Sequence, residues 1–512
     1  MTPAAGLMGR ALTGLRWNYV GTVGRIAATF VSQIALARLL GPEPFGQFGY
    51  AFLTVTMLAL VIEMGLQAAL VQTPTLQPND IATAFGRLLL AGAVAAVLVA
   101  IFADTIATEF FAAPQAAPVL RMMAPTLIVG AVTAVATASL SRDIEFKVIQ
   151  LAGLGSYVVG YLIIGVGAAI QDMGVWSLVL AWHVQTALAC LAMFWYSPRR
   201  LVPGNPFRAL AIARFGAVIM VTNMVNWVID NSPHVAIGRW LGATQLGQYT
   251  VTNNLVKVPA DHLVRNLQAV LFPLAARAQD NDAGVRRAYL TVLSGVALVA
   301  FPLFGFVAAM SGPIVLLLLG SKWQVAADIL APLSIAMMGH AIEALCGPVL
   351  GGRGEPKLEL RVKLVTLLVM LAVLAATSSL SVAAVGWGVA GVYLFRWIWM
   401  NAAVMNRLSI AAGDVGRALI GPLAVAALCC AIAWATLAFV AQGALPAQPL
   451  AVLIISATVS TLASIAMLQL LPKMVLGPEL LWLLNVMAQR HPGIRRFPGL
   501  RRLVAMAVQQ AG

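Results

Sequence analysis

Apolar residues run in long, nearly unbroken stretches from one end of the chain to the other. Fourteen stretches of roughly 18–25 residues recur, each long enough to cross a hydrocarbon layer of about 30 Å as a helix. They cover 17–37, 47–68, 88–105, 120–140, 148–169, 174–196, 214–237, 247–271, 288–310, 330–350, 362–380, 383–405, 417–441 and 449–471. The pattern predicts an all-α polytopic membrane protein. Three of the stretches carry polar positions at helical spacing rather than at random. In the first, Asn18, Thr22, Arg25, Thr29, Ser32 and Gln33 share an arc of about 100°. In the seventh, Asn223, Asn226, Asp230 and His234 share an arc of about 80°. The eighth is the weakest by hydropathy, because Asn253, Asn254, Lys257, Asp261, Arg265 and Gln268 fall within about 120°. A charged side chain at bilayer depth costs roughly 2.5–3.5 kcal/mol, so a helix with three of them is expected to face a cavity or a partner rather than lipid.

Composition agrees with the pattern and removes the soluble classes: 61% of the 512 residues are hydrophobic, 10% are charged, and the mean hydropathy is +0.90. The net charge of +14 would suggest nucleic acid if the cations were clustered. They alternate instead. With an inside N-terminus, 24 of the 32 Lys and Arg fall in one set of loops and the two ends, four (Arg38, Arg121, Arg239 and Lys322) in the other set, and four within helices. The excess is therefore a topology signal that places both termini in the cytoplasm, and no nucleic-acid partner is expected. Cys190, Cys346, Cys429 and Cys430 lie inside predicted helices without metal-ligand spacing and read as packing residues. Lys473 to Gly512 alternates apolar residues with Arg490, Arg495, Arg496, Arg501 and Arg502, a basic amphipathic tail suited to anionic lipid, with partner docking as the alternative.

The chain repeats itself. Arg38-Leu39-Leu40-Gly41, then Phe45-Gly46-Gln47-Phe48, returns as Arg239-Trp240-Leu241-Gly242, then Leu246-Gly247-Gln248-Tyr249. The same 201-residue offset sets Leu66-Gln67-Ala68-Ala69-Leu70 over Leu267-Gln268-Ala269-Val270-Leu271. The repeating unit is six helices. An even number brings both copies into the membrane in the same sense, which predicts two six-helix bundles related by a pseudo-two-fold axis along the membrane normal, plus two C-terminal helices. The expected organisation is an N-terminal lobe over 1–200, a second lobe over 201–412, helices thirteen and fourteen over 413–474, and a cytoplasmic tail over 475–512. Pro233 and Pro259 are expected to bend the seventh and eighth helices beside their polar stripes.

Such a plan suits a transporter, whose substrate site is expected where the bundles meet. The candidate substrate-binding residues are Arg25, Lys257, Arg265, Asn18, Asn253, Asn254 and Arg396. Arg25 has no acid within a turn of its own helix, whereas Lys257, Asp261 and Arg265 also read as an i,i+4 ladder that merely neutralises a bundle interior. Arg396, in Phe395-Arg396-Trp397, also suits aromatic packing. The candidate ion-coupling residues are Asp230, His234, Asp261, Glu63 and Glu343, for a proton or sodium ion and with no other cofactor. Glu63 also suits the interface, and Glu343, one turn from His340, equally suits an interhelical hydrogen bond. Arg38 and Arg239 suit capping of their own helices, with substrate contact as the alternative. No nucleotide-binding loop or catalytic constellation occurs, so no enzyme is expected.

The segment Leu39 to Leu70, with Leu-Gly-Pro-Glu-Pro-Phe-Gly-Gln-Phe and then Glu63-Met64-Gly65-Leu66, resembles bacterial polysaccharide flippases of the multidrug/oligosaccharidyl-lipid/polysaccharide exporter superfamily. Gly320-Ser321-Lys322-Trp323 running into Ala326-Ala327-Asp328-Ile329-Leu330 resembles the same family before its tenth helix. The resemblance implies a monomer in the bacterial inner membrane that flips an undecaprenyl-pyrophosphate-linked oligosaccharide by ion-coupled alternating access. It also implies membrane lipids and polysaccharide polymerase or export machinery as partners, and a cationic cavity that engages the pyrophosphate. A guanidinium meets that group in bidentate form. A multidrug or other lipid extruder, or a membrane-embedded glycan polymerase or ligase, are the rival readings; arginines argue against the first and short outer loops against the last.

Overall fold

Apolar runs with no water to satisfy their backbone become helices, because only there does each N–H find its carbonyl within the segment. The computed structural model describes residues 3–63, 66, 70, 77–197, 201–208, 217–277 and 282–490, and among these all regular structure is helical. Eleven helices are long and apolar enough to cross a membrane, and the pair Pro114–Met123 and Thr126–Arg142, bent by 41°, makes a twelfth span when taken as one. The protein is thus a polytopic helical membrane protein.

The chain divides into two compact units, Met1–Val251 and Thr252–Gly512. In the first unit, α1 (Pro3–Leu40) and α2 (Pro42–Glu63) are followed by α3 (Pro78–Ile101), α4 (Thr126–Arg142), α5 (Phe146–Tyr157, continuing through a π-helical stretch to Ile170) and α6 (Val175–Trp195). Then comes α7 (Ala217–Arg277), which carries both the seventh and the eighth apolar run and continues from the first unit into the second. Its polar stripe explains why it does not count among the eleven apolar helices. The only non-helical backbone within it is Gly242, at φ 86° and ψ 178°, so the break between the two runs falls there, while Pro233 and Pro259 sit in helical backbone. Gly41, the equivalent position between α1 and α2, also has positive φ, at 78°. An L side chain rarely adopts that conformation, which is why the repeated Leu-Gly pair can turn the chain.

The two turns meet. A β-carbon built on Gly46 would lie 1.7 Å from the carbonyl oxygen of Ala243, and one built on Gly247 would lie 1.8 Å from that of Pro42. The 201-residue offset relates Gly46 to Gly247 and Pro42 to Ala243, so this is one contact made twice, in reciprocal sense. Small residues let backbones approach to that degree. Tyr50, fully buried, donates from its hydroxyl to the Gly238 carbonyl at 2.8 Å and reinforces the seam. Arg239 does cap a helix, but a neighbour's rather than its own: Nη1 donates to the carbonyls of Glu109 and Phe110, the latter at 2.7 Å.

In the second unit, α8 (Asp282–Ala309), α9 (Gln324–Glu343), α10 (Pro356–Thr377), α11 (Val382–Leu408), α12 (Ala412–Ala441), α13 (Pro449–Leu470) and α14 (Pro472–Arg490) complete the chain. Here α8 packs along α9 and α12, α11 along α9 and α10, and α13 along α12. Gly421 lets α12 touch the backbone of Met474 and Val475 in α14, whose Leu476 and Leu481 bury against Leu298 and Leu468. The start of the expected cytoplasmic tail is therefore a packed helix; residues 491–512, with most of its arginines, lie outside the described residues.

Candidate functional site

Two polar groups are built inside these helices, one in each unit. In the first unit the stripe of α1 lies along α5. Gly21 admits Gln150, and Arg25 Nη1 would sit 3.6 Å from a β-carbon on Gly153, so the guanidinium lies beside the small-residue face of α5. Further along the stripe, Ser32 Oγ bonds to the Thr29 carbonyl at 3.1 Å and meets the Tyr157 hydroxyl at 3.0 Å, while Tyr157 stacks on Tyr161 at 4.8 Å between centroids. Gln33 donates to the Val251 carbonyl at 3.0 Å. Arg25 itself is exposed, and no carboxylate among the described residues pairs with it. A guanidinium with an unmatched charge is costly at bilayer depth. Tyr157 and Gln150 were not legible as partners of this stripe, because α5 lies more than a hundred residues away and shows no polar period of its own. The side chain of Asn18 lies outside the described residues.

On the seventh run Asn223 is exposed, Asn226 and Asp230 are half-buried, and His234 is buried with its ring edge-on to Tyr249 at 4.9 Å. Beyond the Gly242 break, Asn253 is buried and Asn254 and Lys257 are half-buried, while the side chain of Arg265 lies outside the described residues. Glu63, the last residue of α2, is half-buried.

The second group joins α7, α9 and α11. Asp261 Oδ1 lies 2.9 Å from His340 Nε2; His340 Nδ1 lies 3.3 Å from Arg396 Nη2; and Arg396 Nη2 donates to Glu343 Oε2 at 2.7 Å. The Arg396 guanidinium lies over the Tyr393 ring at 4.8 Å, and His340 meets the same ring edge-on at 5.7 Å. Asp261 thus reaches across to another helix. Arg396, expected as a substrate cation with aromatic packing as the alternative, is 4% exposed and held by Glu343. Its aromatic partner is Tyr393, one turn earlier, because neighbours at i±1 such as Phe395 and Trp397 point away. Glu343, expected as an ion-coupling residue, is the buried counter-ion of that guanidinium. Tyr393 is the residue of this group that sequence reasoning missed; the aromatic run around Arg396 was the signal.

A third feature is apolar. Between α8, α12 and α13 lies a cavity of about 570 Å3 lined by residues such as Pro302, Phe306, Val425, Cys429 and Ile465, with only the hydroxyls of Ser460, Thr461 and Ser464 to relieve it.

The fold matches that of solved structures. The lipid II flippase MurJ in an inward closed conformation superposes with a TM-score of 0.68 at 10% identity, over 89% of this chain and 99% of that one. An inward-facing multidrug resistance MATE family transporter of the MOP superfamily gives 0.62 at 14% identity, over 76% and 98%. A multi-pass helical membrane protein sharing the fold of these two structures is thus defined.

Residues 35–328 match the profile of the polysaccharide biosynthesis protein family, and the chain belongs to that family. It is 28% identical over 324 residues to the succinoglycan biosynthesis transport protein ExoT of Rhizobium meliloti, spanning 62% of this chain and 65% of that one. The lipopolysaccharide biosynthesis protein WzxC of Escherichia coli is 23% identical over 62% of this chain and 64% of its own length. The teichuronic acid biosynthesis protein TuaB of Bacillus subtilis is 22% identical over 77% and 83%. The chain therefore spans somewhat under two thirds of the first two relatives.

Proposed function

We propose that the protein is a flippase that moves a lipid-linked, anionic oligosaccharide, with an undecaprenyl-pyrophosphate carrier, across the bacterial inner membrane for surface polysaccharide synthesis. All fourteen apolar runs cross the membrane, both termini are cytoplasmic, and the two six-helix repeats are related by a pseudo-two-fold axis along the membrane normal. Transport runs by alternating access coupled to an ion. Membership of the polysaccharide biosynthesis family supports the substrate class, and the reciprocal Gly46 and Gly247 contacts are what a two-fold axis between the repeats produces.

The observation that carries the reading is Arg25. It is a cation on the polar face of a membrane helix, exposed and unmatched by carboxylate among the described residues, beside Gly153 of α5. An extruder of organic cations would need the opposite charge.

The test is deletion of the gene with analysis of surface glycan and lipid-linked intermediates, then rescue. The undecaprenyl-linked intermediate should accumulate inside; wild type should restore export, Arg25→Ala should not, and Arg25→Lys should do so in part. Full rescue by Arg25→Ala at matched protein level would refute this cationic site, and unaltered glycan in the deletion strain would refute the function.

A further inference from the structure

At the start of α10 the chain turns on Gly354, at φ 76°, and the helix begins at Pro356. The basic residues around this turn are of two kinds. Arg353 is paired with Asp282 at 2.5 Å, Arg407 with Glu355 at 2.7 Å, and Lys363 with Glu359 one turn earlier. Lys357 and Arg361 are exposed, and neither side chain makes an ion pair or a hydrogen bond with a described residue. Four positions apart, they stand on one face of α10. With Gly354, Glu355 and Leu358 they line a cavity of about 460 Å3. The carboxylate on its wall, Glu355, is matched by Arg407, so the cavity keeps the charge of two cations. The N-terminus of α10 adds positive potential there.

The same turn occurs in the first unit with a different outcome. Before α5, Ile144 has positive φ at 63°, and Glu145, Phe146 and Lys147 stand 210 positions ahead of Glu355, Pro356 and Lys357. There Lys147 lies over the Trp17 ring at 5.1 Å. No ring covers Lys357 among the described residues, and it lines the cavity instead.

The face that carries the two cations continues into the membrane as leucine. Arg361 is followed at i+3, i+7 and i+10 by Leu364, Leu368 and Leu371, which are 44%, 66% and 47% exposed. They belong to the apolar span Lys357–Thr377. At 1.5 Å per residue, Arg361 to Leu371 covers about 15 Å, half of a hydrocarbon layer of about 30 Å. We infer that this face is a binding site for an anionic phospholipid of the cytoplasmic leaflet. Its phosphate sits between Lys357 and Arg361, and an acyl chain runs along Leu364, Leu368 and Leu371. A free phosphate gains nothing from the leucines. A zwitterionic lipid brings a cation of its own to a cavity that already holds two. The choice of leaflet rests on the topology proposed above; the site itself depends neither on that topology nor on the transport reading.

The test reads which lipid touches the leucine row. Full-length protein with the photoreactive residue benzoylphenylalanine in place of Leu368 is reconstituted in vesicles of equimolar phosphatidylglycerol and phosphatidylcholine with the same chains. It is irradiated, and its lipid adducts are identified by mass spectrometry. The same label in place of Leu462, 62% exposed on α13, supplies the baseline. Adducts at position 368 should favour phosphatidylglycerol over that baseline by at least about fivefold. Lys357→Gln with Arg361→Gln should bring the ratio to the baseline, while Arg361→Lys and Lys473→Gln, the latter at another exposed lysine, should keep it. Lys357 and Arg361 hold no other described residue in place, so thermal stability should match wild type in each variant. Enrichment equal at positions 368 and 462, enrichment that survives the double variant, or its loss with Lys473→Gln overturns the site. Its loss on adding inorganic phosphate, against chloride at matched ionic strength, overturns the lipid as occupant in favour of a free anion. None of these outcomes touches the flippase reading, on which the glycan of the deletion strain reports separately.

Discussion

Replacing Gly46 by Ala sets two effects of opposite sign against each other. Gly46 lies inside α2. Ala is the better helix former by about 0.8–1 kcal/mol, so local propensity alone predicts stabilisation. The seam predicts the reverse. The added β-carbon would lie 1.7 Å from the Ala243 carbonyl oxygen, and both sides of the contact are backbone, so no side chain can swing away. Reaching van der Waals distance needs the two turns to part by about 1.5 Å, and overpacking of that kind costs about 1–3 kcal/mol or more. At about 2–4 °C for each kcal/mol in a unit of this size, thermal unfolding in detergent should fall by several degrees. Gly247→Ala, the reciprocal change against Pro42, should cost about the same, and the double variant less than the sum, because one parted seam admits both methyl groups. Opening should also raise maleimide labelling of a cysteine placed at the exposed Thr244. A rise in melting temperature for either single variant, or strictly additive losses, would refute the reciprocal contact.

Three further outcomes follow from the structure. Arg396 and Glu343 form a buried pair. Truncating one partner, as Glu343→Leu, should cost about 3–5 kcal/mol by stranding a buried charge, whereas Arg396→Met with Glu343→Leu together should cost much less, read as a double-mutant cycle in melting experiments. Ser409 ends α11 in the left-handed region, at φ 51° and ψ 45°. Ser409→Gly should therefore raise stability by up to about 1 kcal/mol despite removing a side chain; a fall on heating or in denaturant would refute strain at that cap. A cysteine in place of the exposed Ala283, at the start of α8, should react with a membrane-impermeant maleimide only in inverted vesicles; labelling of intact cells from outside would refute cytoplasmic termini.

Hydropathy is a local property, so the membrane class and nearly every span were readable along the chain: eleven helices and one bent pair stand where apolar runs predict them. The repeat was readable for the same reason, and Gly41 and Gly242 share positive φ because the Leu-Gly turn is a short-range device that only glycine performs without strain. What the linear pattern could not reveal is which distant group each polar residue meets. Asp261, read among Lys257 and Arg265 as either a cavity group or a rung of one helix's ladder, reaches His340, 79 positions away. Arg396 is bound 53 positions away by Glu343, and Gly46 has no room for a β-carbon because the Ala243 carbonyl arrives against it. A helix's spacing states which residues share a face; which partner covers that face is decided by packing between helices, and so by the tertiary structure alone.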